Sequence, residues 1–272
     1  MEVTLLGTGD TTGTPTPGCD CDTCREARER DVERSRFSVH VRNEETDESL
    51  LIDASPDFRH QFLTREVALP DELLVTHVHF DHLDGLGNAY RLFDALPVHA
   101  ADERDPETGE SVAETVRSKF DYLDRITVHD RTPLSSFSAC GFDVTLVPVD
   151  HPPLLCYGVV VEGNGAKLAL TGDTSYAIPE ASRKALADAD LLLADAIVPA
   201  SLCEYHPAGG RHPDEDGVPR TFGYKHATRE GALSLAEELR AEETRLVHVS
   251  HFYPVEEAFE EPLAVDGERF RL

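Results

Sequence analysis

Lysine is scarce in this 272-residue sequence: Lys119, Lys167, Lys184 and Lys225 account for all of it, and arginine carries nearly all the positive charge. The 25 Lys and Arg side chains are set against 52 Asp and Glu, a formal net charge of −27. Phosphate-backbone contacts require clustered basic side chains, so capture of nucleic acid is disfavoured. No apolar run approaches the roughly 20 residues of a membrane span, and the N-terminus lacks the basic, apolar, small-residue order of a signal peptide. A cytoplasmic protein without a membrane partner is expected. No Pro/Gly/Ser-rich linker divides the chain, so a single domain over residues 1–272 is expected. The acid is spread along the whole length, which gives a hydrated, self-repelling surface that needs counterions, a halophilic pattern.

Apolar runs that break at polar residues supply the secondary structure. Strands are expected at 2–7, 36–42, 49–54, 72–77, 142–149, 156–162, 167–172, 190–196 and 244–251, with 36–42 and 49–54 forming a hairpin across the acidic turn NEETDE. Helices are expected at 82–96, at 106–123 with Pro106 in the first turn, near 180–188 and at 228–242. The two halves share this grammar, which implies an α/β fold of two sheets packed face to face with helices outside.

The stretch VTHVHFDHLDG, residues 75–85, places His77, His79, Asp81 and His82 within six positions after an apolar run. His77 and His79 alternate by two, so in an extended segment both turn toward one ion, while Asp81 and His82 lie one turn further on and reach a second. Imidazole with carboxylate suits Zn, Mn or Fe, but one such motif binds nothing without partners. Three single polar residues at the ends of other apolar runs supply them: His151, Asp173 and His248. Near the N-terminus, GCDCDTC provides Cys19, Cys21 and Cys24, while Cys140, Cys156 and Cys203 are scattered. Three clustered thiolates need a fourth ligand to close a tetrahedral site.

His-x-His-x-Asp-His followed by a His, a Gly-Asp and a C-terminal His, each after a strand, resembles the metallo-β-lactamase superfamily. The resemblance runs from LLGTGDTTGTP to LVHVSH and implies the αβ/βα sandwich: two mixed sheets face to face, helices outside, and a binuclear centre of Zn or Mn along the sheet edge. Carried over by motif, His77, His79 and His151 hold one ion; Asp81, His82 and His248 hold the other; Asp173 bridges them. Asp53 matches the family's supporting aspartate, which orients a ligand histidine. A pair of ions some 3.5–4 Å apart lowers the pKa of a shared water and clamps a phosphoryl or acyl oxygen, which implies hydrolysis.

Asp81, counted with His226 among the catalytic residues, and Asp173 argue against antibiotic hydrolysis. His226 in KHATREG matches the His-x-Thr element of the superfamily's phosphodiesterases, where a histidine protonates the leaving alkoxide. The Cys-x-Cys-x-x-Cys loop, about residues 18–25, with His251 as fourth ligand of a structural zinc, is similar to the phosphonate-pathway cyclic phosphodiesterase branch, which also implies a homodimer. A small, cyclic phosphodiester such as a ribosyl cyclic phosphate or a cyclic nucleotide is the expected substrate. Two alternatives share parts of the pattern. The tRNA 3′-end endonuclease carries a basic arm between the residues matching His151 and Asp173, where this chain has two strands and a turn. The pyrroloquinoline-quinone biosynthesis branch resembles the cysteine pattern but does oxidative chemistry. The loop at 198–225 brings His206, Arg211, His212, Arg220 and Lys225 as candidates to meet a second phosphate or cover the cleft.

Overall fold

A computed structural model describes residues 1–204 and 216–272. In chain order, the first half supplies strands β1 (Glu2–Gly7), β2 (Ser38–Arg42), β3 (Ser49–Ile52), β4 (Glu72–Leu74), β5 (Leu96–Ala101) and β6 (Ile126–Arg131). The second supplies β7 (Phe137–Ala139), β8 (Phe142–His151), β9 (Leu154–Gly163), β10 (Ala166–Leu170), β11 (Leu191–Asp195), the short pair β12 (Thr221–Phe222) and β13 (His226–Ala227), and β14 (Glu243–Val247). The C-terminal β15 (Arg269–Arg271) returns to pair with β1. Strand order is β15-β1-β2-β3-β4-β5-β6 in one sheet and β14-β11-β10-β9-β8-β7 in the other, the two mixed sheets expected of the sandwich.

Period-two alternation decides which side chains enter the space between the sheets. On β11, Leu191 and Leu193 join the inter-sheet core with Leu50, Ile52, Leu74 and Val159, while Leu192 and Ala194 turn the other way, into a second cluster. That outer cluster is closed by Leu186 of helix α6 (Glu180–Leu186) and by Leu235 and Leu239 of helix α7 (Arg229–Leu239). Five earlier helices are α1 (Asp22–Arg30), α2 (Phe58–Arg65), α3 (Phe80–Leu83), α4 (Ala89–Leu92) and α5 (Val112–Lys119).

Four expectations need correction. The helix expected over 82–96 is three short pieces, α3, a 3₁₀ turn at Asp84–Asn88 and α4. Gly85 packs so tightly that a Cβ there would lie 2.0 Å from the Ser55 carbonyl oxygen, and this close approach fits a 3₁₀ turn better than a continuous helix. The helix expected from Pro106 starts instead at Ser111, where a capping box of Ser111 and Glu114 satisfies the first turn, and residues before it form turns. The strand expected to run to His77 ends at Leu74, and the one expected to run to His251 ends at Val247. Strands β5, β6, β7, β12, β13 and β15 and helices α1 and α2 were not expected. β6 and α1 are short elements rich in charge, and such elements carry little apolar periodicity.

Candidate metal centre

All the residues in question sit at the carboxyl ends of strands. Asp53 follows β3, the 77–82 motif follows β4, His151 ends β8, Asp173 follows β10, Asp195 ends β11 and His248 follows β14. Because β8, β10, β11 and β14 run the same way, as do β3 and β4, these ends share one edge of the sandwich. Local chemistry turns each residue inward. Gly172 has φ +63°, and a Cβ there would lie 2.6 Å from the Tyr157 carbonyl oxygen, so the Gly-Asp pair is a steric requirement for projecting Asp173.

The seven residues converge. His77 Nε2 lies 2.9 Å from His79 Nδ1, which lies 3.3 Å from His151 Nε2. With a carboxylate oxygen of Asp173, these nitrogens fall within 4.8 Å of one another. On the other side, His248 Nε2 is 3.7 Å and His82 Nε2 3.8 Å from Asp81 Oδ2. Asp173 Oδ2 stands between the groups, 3.3 Å from both His82 and His248 Nε2 and 3.7 Å from His77 Nε2. Each side is a coordination shell in outline, with one shared carboxylate.

Supporting contacts fix the rings. Asp53 accepts hydrogen bonds from Thr76 N–H at 2.8 Å, Thr76 Oγ1 at 2.7 Å and His82 Nδ1 at 2.7 Å, which leaves His82 Nε2 facing the centre. His151 Nδ1 donates to the Lys225 carbonyl at 2.9 Å, so the β12–β13 hairpin aims its Nε2 inward. Asp195, which the sequence reading missed, accepts from His226 Nδ1 and from Thr174 N–H, each at 2.9 Å. Its signal was present: it is a carboxylate closing the apolar run DLLLADA, the same pattern that singled out Asp173. The His226 ring stacks on His248 with centroids 4.9 Å apart and planes 10° apart.

The electrostatics suit cations. Burial holds His77 well below the usual imidazole range, with the neighbouring His82 charge adding to the effect. Burial likewise lowers His151 to about 4. Burial opposes the charged forms of Asp81 and His248 too, but there the opposite charges win: His248 and His82 bring Asp81 down to about 2, and Asp173, Asp81 and Asp195 bring His248 up to about 9. His82 is raised and Asp173 lowered for the same reason. Yet the buried Nε2 atoms of His82 and His248 find no hydrogen-bond partner among the described residues. Buried polar atoms aimed at one point without partners fit divalent ions, and the imidazole–carboxylate set suits Zn, Mn or Fe.

A second group lies at the N-terminal loop. His251 Nδ1 is 3.5 Å from Cys19 Sγ, 3.5 Å from Cys21 Sγ and 3.6 Å from Cys24 Sγ. A tetrahedron with Zn–S of about 2.3 Å and Zn–N of about 2.0–2.1 Å has S···N edges of roughly 3.6 Å, so the spacing fits zinc. Cys140, Cys156 and Cys203 are buried elsewhere. Of the candidates on the 198–225 loop, Arg220 is tied to Asp216 and Ser234. His206, Arg211 and His212 lie outside the described residues. No helix among those residues is long and apolar enough to cross a membrane.

Comparison with known proteins agrees with this geometry. The solved structure of a diphosphatase from the PhnP family is 27% identical, covers 100% of this chain and 97% of its own, and superposes with a TM-score of 0.78. Zn(2+)-bound PqqB from Methylobacterium extorquens is 20% identical, with full coverage of both chains and a TM-score of 0.77, a likeness of fold. An octanoyltransferase of Porphyromonas gingivalis (strain ATCC BAA-308 / W83) is 28% identical over 265 residues, 94% of this chain but 47% of that protein. The chain thus spans about half the length of that curated relative. The family described as "Beta-lactamase superfamily domain" matches residues 48–249, a span that contains every residue of the binuclear group and none of the Cys/His group. The chain therefore belongs to the beta-lactamase superfamily, and it is a metal-dependent hydrolase.

Proposed function

We propose that the protein is a binuclear phosphodiesterase acting on a small, cyclic phosphodiester such as a ribosyl cyclic phosphate or a cyclic nucleotide. The observation that carries the reading is Asp173 Oδ2, shared between two groups of buried ligands, with a histidine on an aspartate beside it. His77, His79 and His151 would hold one ion, Asp81, His82 and His248 the other, and Asp173 both. When bound, such a pair supplies an activated water and neutralises charge on the phosphoryl oxygens. His226 then acts as general acid. Asp195 accepts its Nδ1–H, which leaves Nε2 to carry the proton delivered to the leaving oxygen. Asp81 keeps its charge across the physiological range, because His248 and His82 outweigh the burial that opposes it. Cys19, Cys21, Cys24 and His251 hold a structural zinc that ties the N-terminal loop to the segment after β14.

The interval between His151 and Asp173 is filled by β9, a turn and β10, which leaves no arm of the kind the tRNA endonuclease uses. With the net charge of −27, this supports a small substrate over RNA. The test is a panel at high salt: bis(p-nitrophenyl) phosphate, cyclic nucleotides, ribosyl cyclic phosphate, a dinucleoside diphosphate and precursor tRNA, with zinc- or manganese-loaded and chelated protein. Metal-dependent turnover of the small diesters is expected. Processing of tRNA alone would move the protein to the endonuclease, and oxidation of a quinone precursor without diester turnover would move it to the pyrroloquinoline-quinone branch. The same reading includes a cytoplasmic homodimer, to be checked by light scattering of the metal-loaded protein.

A further inference from the structure

Beside the metal centre lies a cavity of about 220 Å³, lined by Val78, Val112, Pro153, Leu154 and Leu155, with Thr108, Ser111 and Thr115 and the acidic residues Asp105 and Glu110. It touches the centre through the chain itself. Val78 sits between His77 and His79, and Leu154 pairs with His151 across the β8–β9 turn. Whole-ligand pockets run to roughly 300–1,000 Å³, so this one suits a single substituent of a substrate.

Its chemistry points away from anions. Among the described residues no Lys, Arg or His lines it, in contrast to a site built for a phosphate. The start of helix α5 would attract an anion, but its capping box already uses it: Ser111 Oγ accepts from Glu114 N–H, and the Glu114 carboxylate accepts from Ser111 N–H. Other polar groups are also engaged, since Thr115 Oγ1 donates to the Ser111 carbonyl and Thr108 Oγ1 accepts from Glu110 N–H. Backbone N–H groups of Thr108 and Glu107 hold the Asp105 carboxyl below its usual range, so it remains charged. What remains for a ligand is an apolar floor under a negative rim.

We propose that this cavity is the subsite for one ester substituent of open-chain diesters accepted by the same centre beside the cyclic ones, and that it selects a compact apolar cation of the choline type. The proposal rests on the phosphodiesterase reading of the adjacent centre.

The experiment compares p-nitrophenyl phosphocholine with its neutral 3,3-dimethylbutyl isostere and with bis(p-nitrophenyl) phosphate, at one fixed ionic strength. In parallel, equilibrium binding of choline and of 3,3-dimethylbutanol to the zinc-loaded protein is measured by ligand-observed NMR. The choline ester is expected to show a kcat/KM about tenfold above the isostere, and choline to bind more tightly than the neutral alcohol. In Asp105→Asn with Glu110→Gln, that ratio falls toward one, whereas a preference arising from the diffuse acidic surface would persist. Leu154→Trp, which fills the cavity, is expected to weaken both esters and both alcohols. Equal use of the two esters by the unaltered protein, or a preference that survives the double substitution, overturns the proposal. Turnover of no diester by the metal-loaded protein defeats the phosphodiesterase reading instead, and the NMR binding then decides separately whether the cavity takes the cation.

Discussion

The binuclear group and the Cys/His group are both metal-ligand constellations, but they are built on opposite plans. Six of the seven residues of the first are at least nine-tenths buried, His79 alone being more open, and they arrive from four separate stretches of chain between residues 77 and 248. Their charges are already matched, with carboxylates facing imidazoles across 3.3–3.8 Å. The second is partly exposed and takes three of its four residues from one six-residue stretch. Burial pushes its Cys24 thiol up to about 11, so that thiol favours the protonated form until a cation binds. A centre pre-organised by the strands is suited to chemistry. A cluster that closes only on its ion is suited to holding a loop.

That contrast sets the order of expected effects. Asp173→Ala, which removes the one carboxylate common to both halves of the centre, should abolish diester turnover and lower metal content there while sparing the cysteine-bound zinc, as read by mass-spectrometric metal analysis. His226→Ala should reduce kcat by about 10²–10⁴-fold with metal content intact, and unchanged turnover would remove its role as acid. Asp195→Asn leaves the His226 ring in place with its proton misassigned, so a loss of about 10–100-fold is expected, together with a displaced alkaline limb of the pH profile. Cys21→Ser should act mainly on stability, lowering the melting temperature and the zinc stoichiometry with a smaller effect on kcat than His226→Ala. A Cys21→Ser chain that keeps its full zinc and its stability would erase the difference between the two plans.

The smallest effect is a proton count. In the metal-free protein the folded pKa of His248 is raised to about 9, above the roughly 6.5 of a free imidazole. Its protonation therefore stabilises the fold fully below about pH 6.5, and that contribution is lost as the pH rises through about 9. A divalent ion must displace this proton, so apparent affinity at the centre should climb with pH and level off near 9. Calorimetry in buffers of different ionisation enthalpy reads the released protons directly. A pH-independent affinity between 6 and 8 would show that His248 is not displaced.

Much of the centre was legible because each of its residues interrupts an apolar run. His151, Asp173 and His248 stand out by this rule alone, and Asp195 satisfies it equally. His226 lacked that signal, since it sits on a two-residue strand whose hairpin places the Lys225 carbonyl against His151. Helix starts were less legible than strands. A capping box at Ser111 outweighed the Pro106 expected in the first turn, and the contact of Gly85 with Ser55, invisible in one dimension, accompanies the break of the helix expected over 82–96.

By itself the sequence determined the two-sheet grammar, the donor types at each strand end and the surplus of acid, because periodicity and side-chain chemistry are local properties. Only the tertiary structure decided which donors share an oxygen, that Asp195 meets His226, and that Val78 and Leu154, the neighbours of His79 and His151, line one cavity. Those are distances between residues tens to hundreds of positions apart, and strand order and register set them, which no stretch of chain encodes alone.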